Sequence, residues 1–199
     1  MKQKKTVLIL LLVFVLLLGA AYLLYTRLSS SMAPNQLSAR ETREQGSAGG
    51  GADTGAKEPE PVPAPDFTVY DGDGNEVHLS DYVGKPVVMN FWASWCGPCQ
   101  LEMPDFQAKY EELGEEIQFL MINMTSGRET LETAQEFIAE QGYTFPVLYD
   151  TASDAAIAYG AYSLPTTYFI DAEGHAVAQA TGAIDGETLQ IGIDMIYEA

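Results

Sequence analysis

The chain of 199 residues is short of cysteine, histidine and positive charge: it has two Cys, two His, and ten Lys plus Arg against 28 Asp plus Glu. Two cysteines exclude a framework of several disulfides. Both histidines, His78 and His175, lie far from the cysteines in strand-like stretches. They read as surface strand residues rather than ligands, and no metal site is expected. The shortage of bases deepens along the chain. From Asp66 to the C-terminus there are 23 acids and three bases (Lys85, Lys109 and Arg128), a balance of 3 − 23 = −20. A field of that sign repels nucleic acid and anionic headgroups. No nucleic-acid partner is expected, and the acidic surface is read first as a solubility device, with steering of a basic redox partner as the alternative. A glycine-rich dinucleotide fingerprint between strand and helix is also missing. No cofactor is expected other than the cysteines themselves.

What is present begins with a long apolar run. Residues 6–25, TVLILLLVFVLLLGAAYLLY, carry no charge. About 20 such residues at ~1.5 Å each span a ~30 Å hydrocarbon layer. Lys2, Lys4 and Lys5 precede the run, which keeps the N-terminus cytoplasmic and places the remainder outside the cell membrane. A cleaved signal peptide has a shorter apolar stretch, ~7–15 residues, before a small-x-small site. Here the run is longer and ends in LLYTRLSS, so an uncleaved signal-anchor over residues 1–27 is expected. Residues 28–65 are rich in Gly, Ser, Ala, Pro and charge. They predict a disordered tether, stiffened by prolines at PEPVPAP.

Residues 66–199 carry the globular pattern. DFTVY and EVHL are short alternating strands around the turn DGDGN. KPVVMNFWA and IQFLMINM are continuous apolar runs, as in strands buried on both faces. FPVLYD, TTYFID and HAVAQAT complete the strands. Helices are predicted from residue 97 to 113, over SGRETLETAQEFIAEQG, over the short SDAAIAYG, and over DGETLQIGIDMIYEA. The order β-β, β-α-β-α-β-α, β-β-α predicts an α/β fold: a mixed sheet with helices on both faces.

Both cysteines, Cys96 and Cys99, fall in NFWASWCGPCQLEMP, residues 90–104. A stapling disulfide over so small a loop removes little chain entropy. One Cys-x-x-Cys supplies half of a zinc site. Two inert buried thiols are out of place in an oxidising compartment. A dithiol/disulfide couple suits the surrounding residues. The strand ends just before the pair and a helix begins at it. That puts Cys96 at a helix N-terminus, where free N–H groups and the dipole favour a thiolate, the nucleophilic form. Cys99 lies one turn on, within reach of a mixed disulfide at Cys96. Pro98 fits the first helical turn, where its missing N–H would be unbonded anyway. Trp95 either shields the sulfur or simply packs.

WCGPC after an apolar strand resembles the active-site motif of thioredoxin-like proteins. The wider pattern FTVYDGDGNEVHLSDYVGKPVVMNFWASWCGPCQLEMP…GYTFPVLYD…AYGAYSLPTTYFIDAEG resembles the membrane-anchored thiol-disulfide oxidoreductases of the ResA/TlpA type, over nearly all of residues 66–199. The resemblance implies a thioredoxin core with an added N-terminal β-hairpin and an inserted helix region. It implies Cys96 as the attacking and Cys99 as the resolving cysteine. It implies that Leu164-Pro165 is a cis-proline loop facing the pair, offering backbone hydrogen bonds to an incoming peptide, with Trp95, Gly97 and Pro98 bordering the same substrate site. Glu102 falls three residues beyond Cys99 on the same helix face. The resemblance makes it a partly buried carboxyl of raised pKa that exchanges a proton with Cys99. The implied partners are exported protein thiols or disulfides, apocytochrome c among them, and a membrane protein that donates electrons; the implied direction is reduction.

Two departures from the family pattern matter. Thioredoxin has a buried aspartate where this chain has Asn90, which cannot titrate; base duty therefore falls to Glu102. Relatives follow the motif with Lys or Arg, whereas this chain has Gln100 and Leu101. No cation then stands near Cys96 in sequence, and its thiol pKa is expected to be depressed less than the motif suggests. Two other functions compete. A thiol peroxidase of the related fold needs a threonine and a proline around one peroxidatic cysteine, where this chain offers Asn90 and Ser94. A non-catalytic docking module would use the acidic face, and would work unchanged with both cysteines replaced by serine.

Overall fold

A computed structural model describes residues 37–39 and 61–198. The expected anchor over residues 1–27 and most of the expected tether lie outside the described residues, none of whose helices is long and apolar enough to cross a membrane. The strands are β1 (Leu37–Ala39), β2 (Thr68–Tyr70), β3 (Glu76–His78), β4 (Val87–Trp92), β5 (Gln118–Asn123), β6 (Val147–Tyr149), β7 (Thr166–Ile170) and β8 (Ala176–Thr181). The helices are α1 (Gly97–Leu113), α2 (Leu131–Gln141), α3 (Asp154–Tyr159) and α4 (Gly186–Asp194), with a single 3-10 turn at Leu79–Tyr82.

The two continuous apolar runs form the centre of the sheet, as strands with no solvated face must. β4 and β5 pair in parallel, Val87 opposite Gln118 through Trp92 opposite Asn123. β6 continues the parallel set beyond β5, and β7 and β8 add antiparallel strands on the other side. The order is β1-β8-β7-β4-β5-β6-β2-β3. The expected N-terminal hairpin is β2–β3, which joins the sheet through Tyr70 opposite Tyr149.

Side-chain alternation along β4 splits the core in two. Val88 and Trp92 pack on the face covered by Met103 and Phe106 of α1, Ala134 of α2, and Leu189 and Ile193 of α4. Val87, Met89 and Phe91 pack on the other face, against Leu79, Ala155 and Tyr159. Helices therefore lie on both faces. Trp92, Phe106, Phe119 and Phe169 are fully buried, and burial of side chains this large stabilises by about 2–3 kcal/mol each on area alone. Helix ends follow local chemistry. Thr130 caps α2 by accepting from the Thr133 N–H. Gly142 ends it at φ 71°, a left-handed conformation that glycine adopts without strain.

Two short stretches of the expected tether, residues 37–39 and 61–65, fall among the described residues. Leu37–Ala39 lies antiparallel on Ala178–Ala180 of β8. Val62–Ala64 lies along the turn before β8: the Ala64 N–H donates to the Gly174 carbonyl at 2.8 Å, and the Val62 carbonyl accepts from the Ala176 N–H at 3.0 Å. The physical reason is the unpaired edge of β8. Its N–H and C=O groups bind any extended backbone, whatever the composition of that backbone.

Candidate active site

β4 ends at Trp92, and Cys96 is the N-cap residue of α1, with φ −83° and ψ 103°. An N-cap side chain accepts a hydrogen bond from the first helical turn. Here the acceptor is sulfur: Cys96 Sγ accepts from the Cys99 N–H at 3.2 Å. That contact and the helix dipole both strengthen when the sulfur is anionic, so the fold favours a Cys96 thiolate once the pair is reduced. Cys96 and Cys99 are joined as a disulfide, S–S 2.08 Å and Cα–Cα 5.3 Å. Cys99 is fully buried. Cys96 keeps 4% of its surface and opens on a groove of about 500 Å³.

Trp95, Gly97 and Pro98, the residues expected at the substrate site, border that groove beside Cys96. Met124, Ser126 and Arg128, from the loop after β5, form one wall; Ala161, Tyr162 and Leu164, before β7, form the other. The Leu164-Pro165 peptide bond is cis, again as expected. The two loop residues divide the work. Leu164 faces the groove. Pro165 is buried behind it, where its carbonyl accepts from the Gly182 N–H at 2.9 Å. Trp95 neither seals the sulfur nor disappears into the core. It stays 45% exposed with the Arg128 guanidinium over its ring, Cζ 3.8 Å from the centroid.

Glu102 is 2% exposed, although it lies on a surface helix. Its Oε1 accepts from Asn90 Nδ2 at 2.8 Å, and its Oε2 accepts from the Ile184 N–H at 2.9 Å. Burial pushes its carboxyl up to about 8; the Ile184 and Asn90 hydrogen bonds oppose that rise and the charge of Asp105 adds to it. Burial wins because two neutral donors do not replace the hydration of an anion. Asn90 is thus part of the site without titrating. Its Nδ2 also donates to Thr167 Oγ1 at 3.0 Å, and its Oδ1 is buried with no hydrogen-bond partner.

A second buried acidic side chain holds the loop in front of Cys96. Glu129 accepts from the Ser94 N–H at 2.8 Å, from Ser94 Oγ at 2.7 Å and from Asn123 Nδ2 at 2.8 Å. Gln100 Nε2 donates back to the Ser94 carbonyl. Ser94 and Asn90, where a peroxidase would need other residues, are therefore both bonded to buried carboxyl groups.

Four contributors escape a reading of the sequence: Thr167, the Ile184 amide, Glu129 and Arg128. Each comes from an element remote from the motif. An acid and a base in SGRET, before a helix cap, look like solvated loop residues. The one signal for Arg128 was rarity, one of three bases after residue 66.

The AhpC/TSA family profile matches residues 62–179. The thiol-disulfide oxidoreductase ResA of Geobacillus thermodenitrificans is 37% identical over 136 residues, 67% of this chain and 75% of that protein. Among solved structures, the thiol:disulfide interchange protein DsbE from Chlorobium tepidum is 32% identical with a TM-score of 0.57, covering 67% of this chain and 94% of that one. A DsbF homologue from Corynebacterium diphtheriae is 28% identical with a TM-score of 0.62, covering 79% and 99%. A thioredoxin-like sheet, a Cys-x-x-Cys pair at the head of α1 and relatives of this kind lead to one conclusion: the chain belongs to the AhpC/TSA family and is a thiol-disulfide oxidoreductase of the ResA type.

Proposed function

We propose that this oxidoreductase is tethered to the cell membrane, faces outward, and reduces disulfides in exported proteins, apocytochrome c among them. One observation carries the chemistry: a single sulfur of the pair reaches the groove, while its partner is sealed behind it on the same helix as a buried carboxyl. The uncharged run over residues 6–25 supports the tether.

The reaction follows from those positions. The Cys96 thiolate attacks a client disulfide; a Cys96–client S–S bond forms, the client S–S bond breaks, and one client sulfur leaves as thiolate. Cys99 then gives its thiol proton to ionised Glu102 and attacks the Cys96 sulfur. The 96–99 disulfide forms, the mixed disulfide breaks, and the second client thiolate leaves, taking up the proton that Glu102 holds. The client gains two electrons and the pair loses two. A carboxyl near 8 suits both halves of this transfer, because a group that titrates near ambient pH both takes and returns a proton. Resetting the pair to a Cys96 thiolate and a Cys99 thiol needs two electrons from a membrane electron-donor protein and one proton. The Leu164 wall of the groove supports docking of the client as an extended segment.

The test is a trap. In Cys99→Ser the mixed disulfide at Cys96 forms and is not resolved. Exported proteins recovered on Cys96 from membranes, and released by dithiothreitol, support the reading. A folded Cys99→Ser chain that retains no client contradicts it.

A further inference from the structure

Three lysines and arginines serve residues 61–198, and two of them are engaged away from the groove. Lys109 pairs with Glu112 at 2.7 Å, and Lys85 donates to the Glu115 carbonyl at 2.7 Å. Arg128 is different. In a body where acids outnumber bases 23 to three from Asp66 onward, it has no carboxylate partner among the described residues. Its contact is the face of Trp95. Stacking on a ring holds the guanidinium plane and leaves its N–H edge, a fork that fits a carboxylate, for another partner. Arg128 is also the only charged side chain among the residues that line the groove.

Trp95 directly precedes Cys96. The guanidinium above its ring therefore stands on the order of 10 Å from the Cys96 sulfur, about three residues of extended peptide. The opposite wall carries no charge: Tyr162 is 82% exposed, and Leu164 lies beside it.

We propose that Arg128 is a specificity residue: it pairs with the carboxylate of an Asp or Glu lying within about three residues of the reacting cysteine in an extended client segment. This inference rests on the disulfide-reductase reading. The acidity of the rest of the domain does not oppose it at physiological salt. Screening over ~8 Å mutes remote charges, while a contact pair in a groove is screened less. Selection is therefore by position of the carboxylate, not by net charge of the client.

The experiment uses the full chain in detergent, fully reduced beforehand, in single-turnover reactions that need no added reductant. Two disulfide-bonded peptides are compared, isomers of identical composition and charge. One carries Glu two residues from a cysteine; the other carries it at the far terminus. The expected result is oxidation of the chain by the proximal isomer about fivefold faster, the scale of one partly exposed charge-assisted contact. Arg128→Gln brings the two rates together, and Arg128→Lys keeps part of the preference. Using the ratio of the two isomers cancels any general loss of activity from disturbing Trp95. Equal rates on the unmodified chain, or a preference that survives Arg128→Gln, overturn the inference and leave the reductase reading standing. Failure of the chain to reduce either isomer sinks both.

Discussion

Replacing Glu102 by glutamine should change how stability depends on pH. In the unfolded chain the carboxyl titrates near its usual value, about 4.3. In the folded chain burial holds it at about 8. Between those values the native state binds more protons than the unfolded state, so stability must fall as pH rises and level off above the folded value. At about 1.4 kcal/mol per unit, the gap amounts to on the order of 3–5 kcal/mol across the whole window. Glutamine keeps the shape and an oxygen to accept from Asn90 or Ile184, but carries no proton that titrates. Below pH 5 variant and parent should differ little. By pH 9 the variant should be the more stable by most of that amount. Urea denaturation of both oxidised proteins at pH 5, 7 and 9 gives the difference directly, and every other titrating group cancels. A difference that stays constant within about 0.5 kcal/mol from pH 5 to 9 would refute the claim that this carboxyl is held neutral by burial.

Asn90→Ala removes the hydrogen bond that favours ionised Glu102. The pH profile for disulfide reduction should then move to higher pH by about one unit, and an unmoved profile would detach Asn90 from the proton transfer. Gly192→Ala tests packing of α4. A Cβ there would stand 2.2 Å from Cζ of the Phe169 ring. Although Gly→Ala in a helix ordinarily gains about 1 kcal/mol, this substitution should lose about 1–3 kcal/mol of unfolding free energy.

The parts of the fold legible in the sequence were those written in side-chain pattern. Continuous apolar runs marked β4 and β5 as the sheet centre, and Gly142 marked the end of α2, because burial and backbone conformation act on the residues that display them. The motif also located Cys96 at the head of α1, since strand-to-helix punctuation is local. Backbone pairing left no such trace. Leu37–Ala39 and Val62–Ala64 lie along β8 and the turn before it through main-chain groups that every residue owns. Charge neighbours were equally hidden. The absence of a cation around Cys96 held for the sequence but not for the folded chain, where a loop 30 residues away lays Arg128 over Trp95. The family resemblance singled out Glu102, yet the groups that hold its carboxyl, Asn90 of β4 and the Ile184 amide before α4, come from elements remote from it in sequence, and Asn90 is itself bonded to Thr167 of β7.

The account turns on which sulfur meets the client. It is tested most directly by mapping the first covalent product: reduced protein is mixed with a disulfide peptide, acid-quenched within milliseconds, and the peptide adduct located by mass spectrometry. The structure predicts the adduct on Cys96, with Cys96→Ser forming none and Cys99→Ser holding it indefinitely. Adducts found on Cys99 at a comparable rate would contradict the assignment of the groove-facing N-cap sulfur as the point of entry.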